Sequence, residues 1–206
     1  MDDDDYMRGK LTNNKIFGEA NALLAGDALF TWAFELMLQN RGHLPQERVL
    51  LACLEMAKAT GPAGMVGGQY LDMAMENKEI SPEMLENIHA LKTGKLIQAS
   101  VSTGAILGGA QGNHLESLRD YGKNLGLLFQ ITDDLLDVRG DSEKTGKESK
   151  KDLQRGKATF PKIFGIAKAE DIAYLTKEKT KRNLSFLSQD CDFFTALADY
   201  IYTREA

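Results

Sequence analysis

The stretch Tyr121–Val138, YGKNLGLLFQITDDLLDV, decides the fold of this 206-residue chain. At about 100° per residue, a helix places four polar side chains within one arc of its surface: Gln130, Asp133, Asp134 and Asp137. Nearly every residue outside that arc is apolar, and a helix that is apolar around most of its circumference lies inside a protein. The stretch therefore predicts a buried central helix that carries one polar stripe.

The three carboxylates of this stripe, Asp133, Asp134 and Asp137, are expected to share a confined space. Like charges held close together raise one another's pKa values or are neutralised by a cation. Carboxylate oxygens are ligands that Mg²⁺ prefers, with phosphate oxygens and water completing its octahedron. The stripe therefore favours a magnesium site, and a solvated acidic helix face is the alternative.

Helical periodicity continues on both sides of this stretch, without strand alternation or an internal repeat. Helices are predicted over residues 17–39, 46–59, 63–77, 81–109, 115–138, 160–169, 171–188 and 192–203. Residues 1–206 are therefore expected to form a single all-α domain.

The composition excludes several classes of protein. A net charge of −5 argues against nucleic-acid binding, which normally needs a basic face. Cys53 and Cys191 are too few for a disulfide framework or a zinc site, and they indicate reduced thiols in the cytoplasm. No run of about 18 apolar residues is found, and the acidic start of the chain lacks the basic region of a signal peptide. We therefore expect a cytoplasmic protein without a membrane span.

Residues 140–157, directly after the acidic stripe, are rich in lysine and glycine. Lys147 and Lys157 each follow a glycine in this segment, which is predicted to be a mobile loop. A flexible cationic loop beside an acidic, metal-binding stripe suits the binding of a diphosphate. By itself, such a loop is more often a solvated linker.

Two other segments interrupt apolar helices with polar residues. Gly94 predicts a kink in the helix 81–109 that turns Lys92 inward and frees carbonyl groups near Thr93. Gln69 and Asp72 are spaced to share one helix face. Each signal is weak when taken alone. The histidines are interpreted as isolated structural or exposed residues: His43, His89 and His114.

These segments together resemble the trans-prenyl diphosphate synthases that make farnesyl and geranylgeranyl diphosphate. FQITDDLLDV is similar to the second aspartate-rich motif of that family. Five further segments match in the family's order: FGEANALLAGDAL, GGQYLD, HALKTGKLI, TGKESKKDLQRGKATFP and LADYIYTREA. The resemblance covers essentially the whole chain.

The resemblance implies an all-α bundle of antiparallel helices around a central cavity, normally a homodimer that uses three Mg²⁺ ions, with Mn²⁺ as a substitute. The implied metal residues are Asp133, Asp134, Asp137 and Asp2, with Asp133 the foremost direct ligand. The implied diphosphate-binding residues are Lys92, Lys147, Lys157 and, for isopentenyl diphosphate, Arg8. Gln130 and the carbonyl group of Thr93 would face an allylic cation, and Gln69, Asp72 and Asp152 would support these groups.

The implied reaction is the condensation of isopentenyl diphosphate with an allylic diphosphate, dimethylallyl or geranyl, by ionisation, condensation and elimination. Farnesyl diphosphate is the first expected product and geranylgeranyl diphosphate the second. Two alternatives stay open. One is a non-catalytic partner subunit of a prenyl synthase, and the other is a class I terpene cyclase, which also ionises diphosphates on Mg²⁺.

Two departures from the family pattern lie near the start of the chain. Met7 stands where the family has the first arginine of an Arg-Arg-Gly sequence, and Arg8 matches the second. Asp2 matches the last aspartate of the first aspartate-rich motif, so the preceding aspartate pair and N-terminal helices of the family are missing. The resemblance therefore implies that the intact enzyme is active and that these 206 residues alone are not.

Overall fold

The structure, a computed structural model, describes residues 5–7, 9–39, 44–139, 157–187 and 191–204. Within these ranges the chain forms ten α-helices, and their bounds are α1 Asn13–Phe17, α2 Glu19–Gln39, α3 Gln46–Thr60, α4 Met65–Ala74, α5 Pro82–His89, α6 Lys95–Gly108, α7 Gly112–Arg139, α8 Phe160–Phe164, α9 Ile166–Arg182 and α10 Asp192–Thr203. A π-helical turn, Ala90–Gly94, joins α5 to α6, and a 3₁₀ turn, Asn183–Phe186, follows α9. The all-α prediction is confirmed.

Two glycines move helix boundaries away from the predicted ones. Gly18 has φ +83° and separates α1 from α2, whereas the sequence predicts a single helix over 17–39. Gly165 has φ +82° and ends α8 at Phe164, so the break falls five residues earlier than expected. Both conformations lie in the region that glycine adopts readily and other residues avoid.

A short hairpin near the start of the chain was not predicted. Strand β1, Tyr6–Met7, pairs antiparallel with β2, Lys10–Leu11, through a turn that contains Gly9 at φ +73°. Two-residue strands are too short to produce an alternating pattern, which explains why the sequence does not reveal them.

Helix α7 is the centre of the core, as its apolar circumference predicts. It packs against α6, α9 and the π-turn. The buried core cluster consists of Leu85, Tyr121, Leu125, Leu128, Ile131, Leu135, Phe160, Ala169, Ala173, Leu184, Ala198 and Ile201. The polar stripe of α7 is therefore positioned by a well-packed helix, which limits how far its side chains can move.

Glycines bring the π-turn into backbone contact with two helices. A Cβ atom added to Gly68 of α4 would lie 2.2 Å from the Lys92 backbone nitrogen. One added to Gly126 of α7 would lie 2.7 Å from the Gly94 Cα atom. Both contacts are shorter than any side chain permits, so the π-turn is clamped between α4 and α7.

Helices α2 and α3 carry many exposed apolar side chains. No residue of α2 is buried among the described parts of the chain, and Leu23, Leu24 and Trp32 are each more than half exposed. By length and composition alone, the helical stretch Gln46–Ala74 could cross a membrane, with 28% of its apolar window buried. One such stretch is weak evidence, and this one is interrupted by a turn at residues 61–64. The absence of a membrane span stays a prediction.

Candidate functional site

The π-turn is the backbone feature on which the site is built. The Lys95 N–H group donates to the Ala90 carbonyl, five residues earlier, so the helix is wider at this point. The sequence predicts a kink at Gly94, within this turn. A π-turn accommodates one extra residue within a helix and is frequent at functional sites. It holds Lys92 and Thr93, both half-buried, between α4 and α7.

Two lysines converge on the carboxylate of Asp72. Lys92 Nζ donates to Asp72 Oδ2 at 2.7 Å, and Lys157 Nζ lies 3.7 Å from the same oxygen. The three side chains come from the π-turn, from α4 and from the segment before α8, and all are largely shielded from solvent. Two lysine ammonium groups beside one carboxylate have the chemistry to bind an anionic ligand.

A hydrogen-bonded chain links the π-turn to the polar stripe of α7. The Thr93 hydroxyl donates to Gln130 Oε1 at 2.9 Å, and Gln130 Nε2 donates to Asp134 Oδ1 at 3.3 Å. Because the amide oxygen accepts and the amide nitrogen donates, this chain sets the orientation of the Gln130 side chain. The structure thus brings together three residues that the sequence singled out.

The carboxylate of Asp134 is buried and is held by protein donors. His89 Nε2 lies 3.1 Å from Asp134 Oδ2, and the Phe160 backbone N–H group donates to that same oxygen at 2.9 Å. The His89 ring stacks on the Phe160 ring with centroids 5.5 Å apart. His89 is therefore not isolated, contrary to the prediction, because its ring is buried against residues from α7 and α8; the contacts agree with a structural residue.

The carboxylate of Asp133, in contrast, is exposed to solvent. Its side chain is 52% exposed, against 4% for Asp134. Arg204 Nη2 donates to Asp133 Oδ1 at 3.1 Å, and the Arg204 guanidinium lies over the Phe129 ring, 4.2 Å from its centroid. Because it is exposed, this carboxylate is accessible to a cation from solution.

The three carboxylates of the stripe therefore do not share one confined space, contrary to the expectation. Consecutive residues on a helix point about 100° apart, which turns Asp133 outward and Asp134 toward His89. Asp137 is half-buried on the same helix. Over the described residues, no three acidic, histidine or cysteine side chains are grouped closely enough to hold a metal ion by themselves. A metal here would need further ligands, such as phosphate oxygens and water.

Only some of the other predicted site residues lie within the described parts of the chain. Gln69 is half-buried on α4, on the helix that carries Asp72. His114 is exposed. Five residues singled out in the sequence lie outside the described residues: Asp2, Arg8, His43, Lys147 and Asp152. Most of the predicted loop over 140–157 lies outside them too.

Two residues that contact the stripe, His89 and Arg204, were not predicted as site residues. A histidine three residues before Lys92, in a helix that is otherwise small and apolar, was the available signal for His89. Arg204 is 71 residues from Asp133 along the chain, and only the packing of α10 against α7 brings them together.

Residues 1–188 match the polyprenyl synthetase family. The chain belongs to the polyprenyl synthetase family. It is 44% identical over 207 residues to a chloroplastic geranylgeranyl pyrophosphate synthase of Capsicum annuum, covering all of this chain and 56% of the relative. It is 41% identical over 206 residues to the farnesyl diphosphate synthase of Geobacillus stearothermophilus, covering all of this chain and 69% of that enzyme.

The fold of this polyprenyl synthetase chain is also that of solved prenyl synthases. A Helicobacter pylori geranyltransferase, solved with magnesium and isoprenyl diphosphate, superposes with a TM-score of 0.83 at 30% identity, over 98% of this chain and 65% of that one. The chain therefore spans little more than half the length of the Capsicum relative and about two thirds of the other two.

Proposed function

We propose that the intact enzyme of this polyprenyl synthetase chain binds an allylic diphosphate and joins its prenyl group to isopentenyl diphosphate. Farnesyl diphosphate is the first proposed product and geranylgeranyl diphosphate the second. The observation that carries the proposal is the convergence of Lys92 and Lys157 on Asp72, beside the hydrogen-bonded pair Thr93 and Gln130. This arrangement sets an anion-binding group next to oriented oxygen dipoles.

The two lysines have the chemistry to bind the diphosphate group. As the bond between the allylic carbon and the diphosphate oxygen breaks, negative charge grows on the leaving group, and nearby ammonium groups stabilise it. Asp72 keeps Lys92 and Lys157 in place by accepting from one and neutralising part of the charge of both. Lys147 would add a third ammonium group, and Arg8 would bind isopentenyl diphosphate, as the family resemblance implies.

The Thr93–Gln130 pair has the chemistry to stabilise the allylic cation. Amide and carbonyl oxygens carry partial negative charge, and oxygens that are already oriented stabilise a cation without further reorganisation. Gln130 is held by Thr93 on one side and by Asp134 on the other, so its orientation does not depend on substrate. The isopentenyl double bond then attacks the cation, and loss of a proton, which the released diphosphate accepts, completes the product.

The residues present fit a family metal site in part. The Asp133 side chain is 52% exposed, so it would be a direct Mg²⁺ ligand, with Asp137 supporting it on the same helix. When bound, Mg²⁺ would neutralise the leaving diphosphate. Three ions, their replacement by Mn²⁺ and a further ligand at Asp2 are proposed from the family resemblance. Gln69 and Asp152 are proposed to support bound water or lysines.

We further propose a homodimer in the cytoplasm that binds no nucleic acid. The exposed apolar side chains of α2 and α3 support an association of chains. The name of the Capsicum relative refers to the chloroplast, so the cytoplasmic location of this chain needs its own test by cell fractionation.

Calorimetric titration with inorganic pyrophosphate, with and without Mg²⁺, tests the proposed site. We expect binding that requires Mg²⁺ and that weakens in Lys92→Met, while Lys95→Met, an exposed lysine three residues away, binds normally. An equal affinity for pyrophosphate with and without Mg²⁺, or in the wild type and in Lys92→Met, would contradict the proposal.

Turnover of radiolabelled isopentenyl diphosphate with an allylic primer separates the alternatives. Incorporation of label into a longer prenyl diphosphate supports the synthase. Consumption of the allylic substrate without isopentenyl diphosphate would indicate a terpene cyclase. Pyrophosphate binding with turnover only in the presence of a second family member would indicate a partner subunit.

A further inference from the structure

We propose that His89 and Asp134 are positioning residues, and that Asp134 is not a ligand of Mg²⁺. His89, Asp134 and the Phe160 N–H group are together called the His89 latch. The latch fixes the positions of the Gln130 amide and of the segment at Lys157 relative to the π-turn. The inference rests on the proposed function for its catalytic consequence, while the latch itself is defined by contacts alone.

The environment of Asp134 argues against a metal-binding role. Oδ2 accepts from His89 and from the Phe160 N–H group, and Oδ1 accepts from Gln130. The side chain is 4% exposed, so a hydrated Mg²⁺ ion has little access to it. If Asp134 turned toward an ion, the His89 and Phe160 donors would stay buried without an acceptor, which is costly.

The contacts of His89 define its hydrogen-bonding role and the ring shape that its position requires. Because a carboxylate oxygen accepts hydrogen bonds, His89 Nε2 is the donor of the bond to Asp134 Oδ2. The Nδ1 atom is buried and has no hydrogen-bond partner among the described residues. The ring also stacks on Phe160, which is fully buried and stacks in turn on Phe164. Position 89 thus requires a side chain that has both a hydrogen-bond donor and a flat ring.

The latch joins three separate parts of the chain. His89 immediately precedes the π-turn that holds Lys92 and Thr93, and Asp134 lies one turn after Gln130 on α7. Phe160 begins α8, three residues after Lys157. One carboxylate therefore sets the positions of the groups proposed to bind the diphosphate and to face the cation. Such supporting residues typically change activity by about 10–100-fold when they are removed.

Four variants separate positioning from ligation. His89→Phe keeps the stacked ring and removes the donor, whereas His89→Gln keeps a donor and removes the ring. Asp134→Asn removes the charge at the centre of the latch. Asp133→Asn, at the adjacent exposed carboxylate, is the matched control. Asp134→Asn and His89→Gln also cover the case in which His89→Phe does not fold.

The first measurement is independent of the proposed function. Amide hydrogen exchange at Phe160 and the side-chain amide signals of Gln130 are followed by NMR on the 206-residue chain. We expect His89→Phe and Asp134→Asn to accelerate exchange at Phe160 about tenfold or more and to shift the Gln130 signals. Asp133→Asn should change neither, and His89→Gln should restore part of the wild-type behaviour. Unchanged exchange and unchanged Gln130 signals in Asp134→Asn would overturn the latch.

The second measurement is the Mg²⁺ concentration that half-saturates pyrophosphate binding. We expect Asp133→Asn to raise it about tenfold or more, because a direct ligand is lost, while Asp134→Asn and His89→Phe leave it within about threefold. An increase in Asp134→Asn equal to that in Asp133→Asn would overturn the assignment. If the wild-type chain binds no pyrophosphate, the proposed function fails, and the first measurement alone decides whether the latch exists.

Discussion

Gly126 and Gly94 bring α7 and the π-turn into backbone contact, since a Cβ atom at Gly126 would lie 2.7 Å from Gly94 Cα. The nearest atoms belong to backbone, which cannot rotate out of the way as a flexible side chain does. The distance between Thr93 and Gln130 therefore depends on this crossing.

Gly126→Ala is expected to lower the free energy of unfolding by about 1–3 kcal/mol, as overpacked substitutions generally do. Gly104→Ala on α6 is the matched control, because an added Cβ atom there meets nothing within 4 Å. That variant should be about 0.5–1 kcal/mol more stable than the wild type, since alanine is the better helix former. Urea unfolding measures both, and equal stabilisation of the two variants would contradict the clamp.

In the intact enzyme, Lys92→Met is expected to reduce kcat/KM for the allylic diphosphate by about 10²–10³, because one preorganised cation beside the leaving group is lost. Lys95→Met, on the exposed side of the same helical stretch, should leave kcat/KM unchanged. Steady-state kinetics in the presence of saturating Mg²⁺ measure the difference. Where turnover is too slow to follow, the dissociation constant for pyrophosphate is the substitute.

Arg204→Gln is expected to lower the Mn²⁺ concentration that half-saturates the chain in the absence of diphosphate. The Arg204 guanidinium donates to the Asp133 carboxylate, so an incoming ion must compete with it for this carboxylate. Electron paramagnetic resonance of free Mn²⁺ measures the titration. Arg182→Gln, an exposed arginine at the end of α9, is the control. A weaker Mn²⁺ affinity in Arg204→Gln would show that the arginine orients Asp133 for the metal.

Tyr121 predicts a specific loss of stability at alkaline pH. Its ring is fully buried, and its hydroxyl donates to the Phe194 carbonyl at 2.7 Å, so burial raises the pKa of the phenol well above its usual range. The folded state therefore holds the phenol proton more tightly than the unfolded state. The resulting stability is fully present below about pH 10, the pKa of an unfolded tyrosine, and is lost as the pH rises above it.

Unfolding in urea at a series of pH values from 7 to 11 tests this prediction by comparison with Tyr121→Phe. The variant should be less stable at pH 7 by about 0.5–1.5 kcal/mol, the contribution of one hydrogen bond. The difference should shrink above about pH 10, because only the wild type has a buried phenol to ionise. A constant difference across the series would contradict it.

Trp32 reports on the exposed apolar surface of α2. It is the only tryptophan of the chain, and its side chain is 52% exposed. If chains associate through this surface, acrylamide quenching of its fluorescence should fall as protein concentration rises, together with a rise in mass by light scattering. Leu24→Glu on α2 should abolish both effects, whereas Ala167→Glu on α9 should preserve them. Concentration-independent quenching would show that this surface does not mediate association.

The all-α class and the central position of α7 could be predicted from the amino-acid sequence. Both follow from local periodicity, because a helix that is apolar around most of its circumference is stable only when it is buried, wherever the neighbouring helices lie. Four site residues could also be predicted, because they lie in short motifs that follow one another in the family's order: Lys92, Thr93, Gln130 and Asp133.

Which of these side chains contact one another depends on how distant helices pack. Asp133 and Asp134 are adjacent and chemically identical, yet one is exposed beside Arg204 and the other is buried beside His89. Nothing local distinguishes them, because their partners lie 71 and 45 residues away along the chain. The widening of the helix at Ala90–Gly94 is similar, since it depends on how closely α4 and α7 approach at Gly68 and Gly126. Contacts of this kind are set by packing between distant segments, and a periodic pattern carries no record of them.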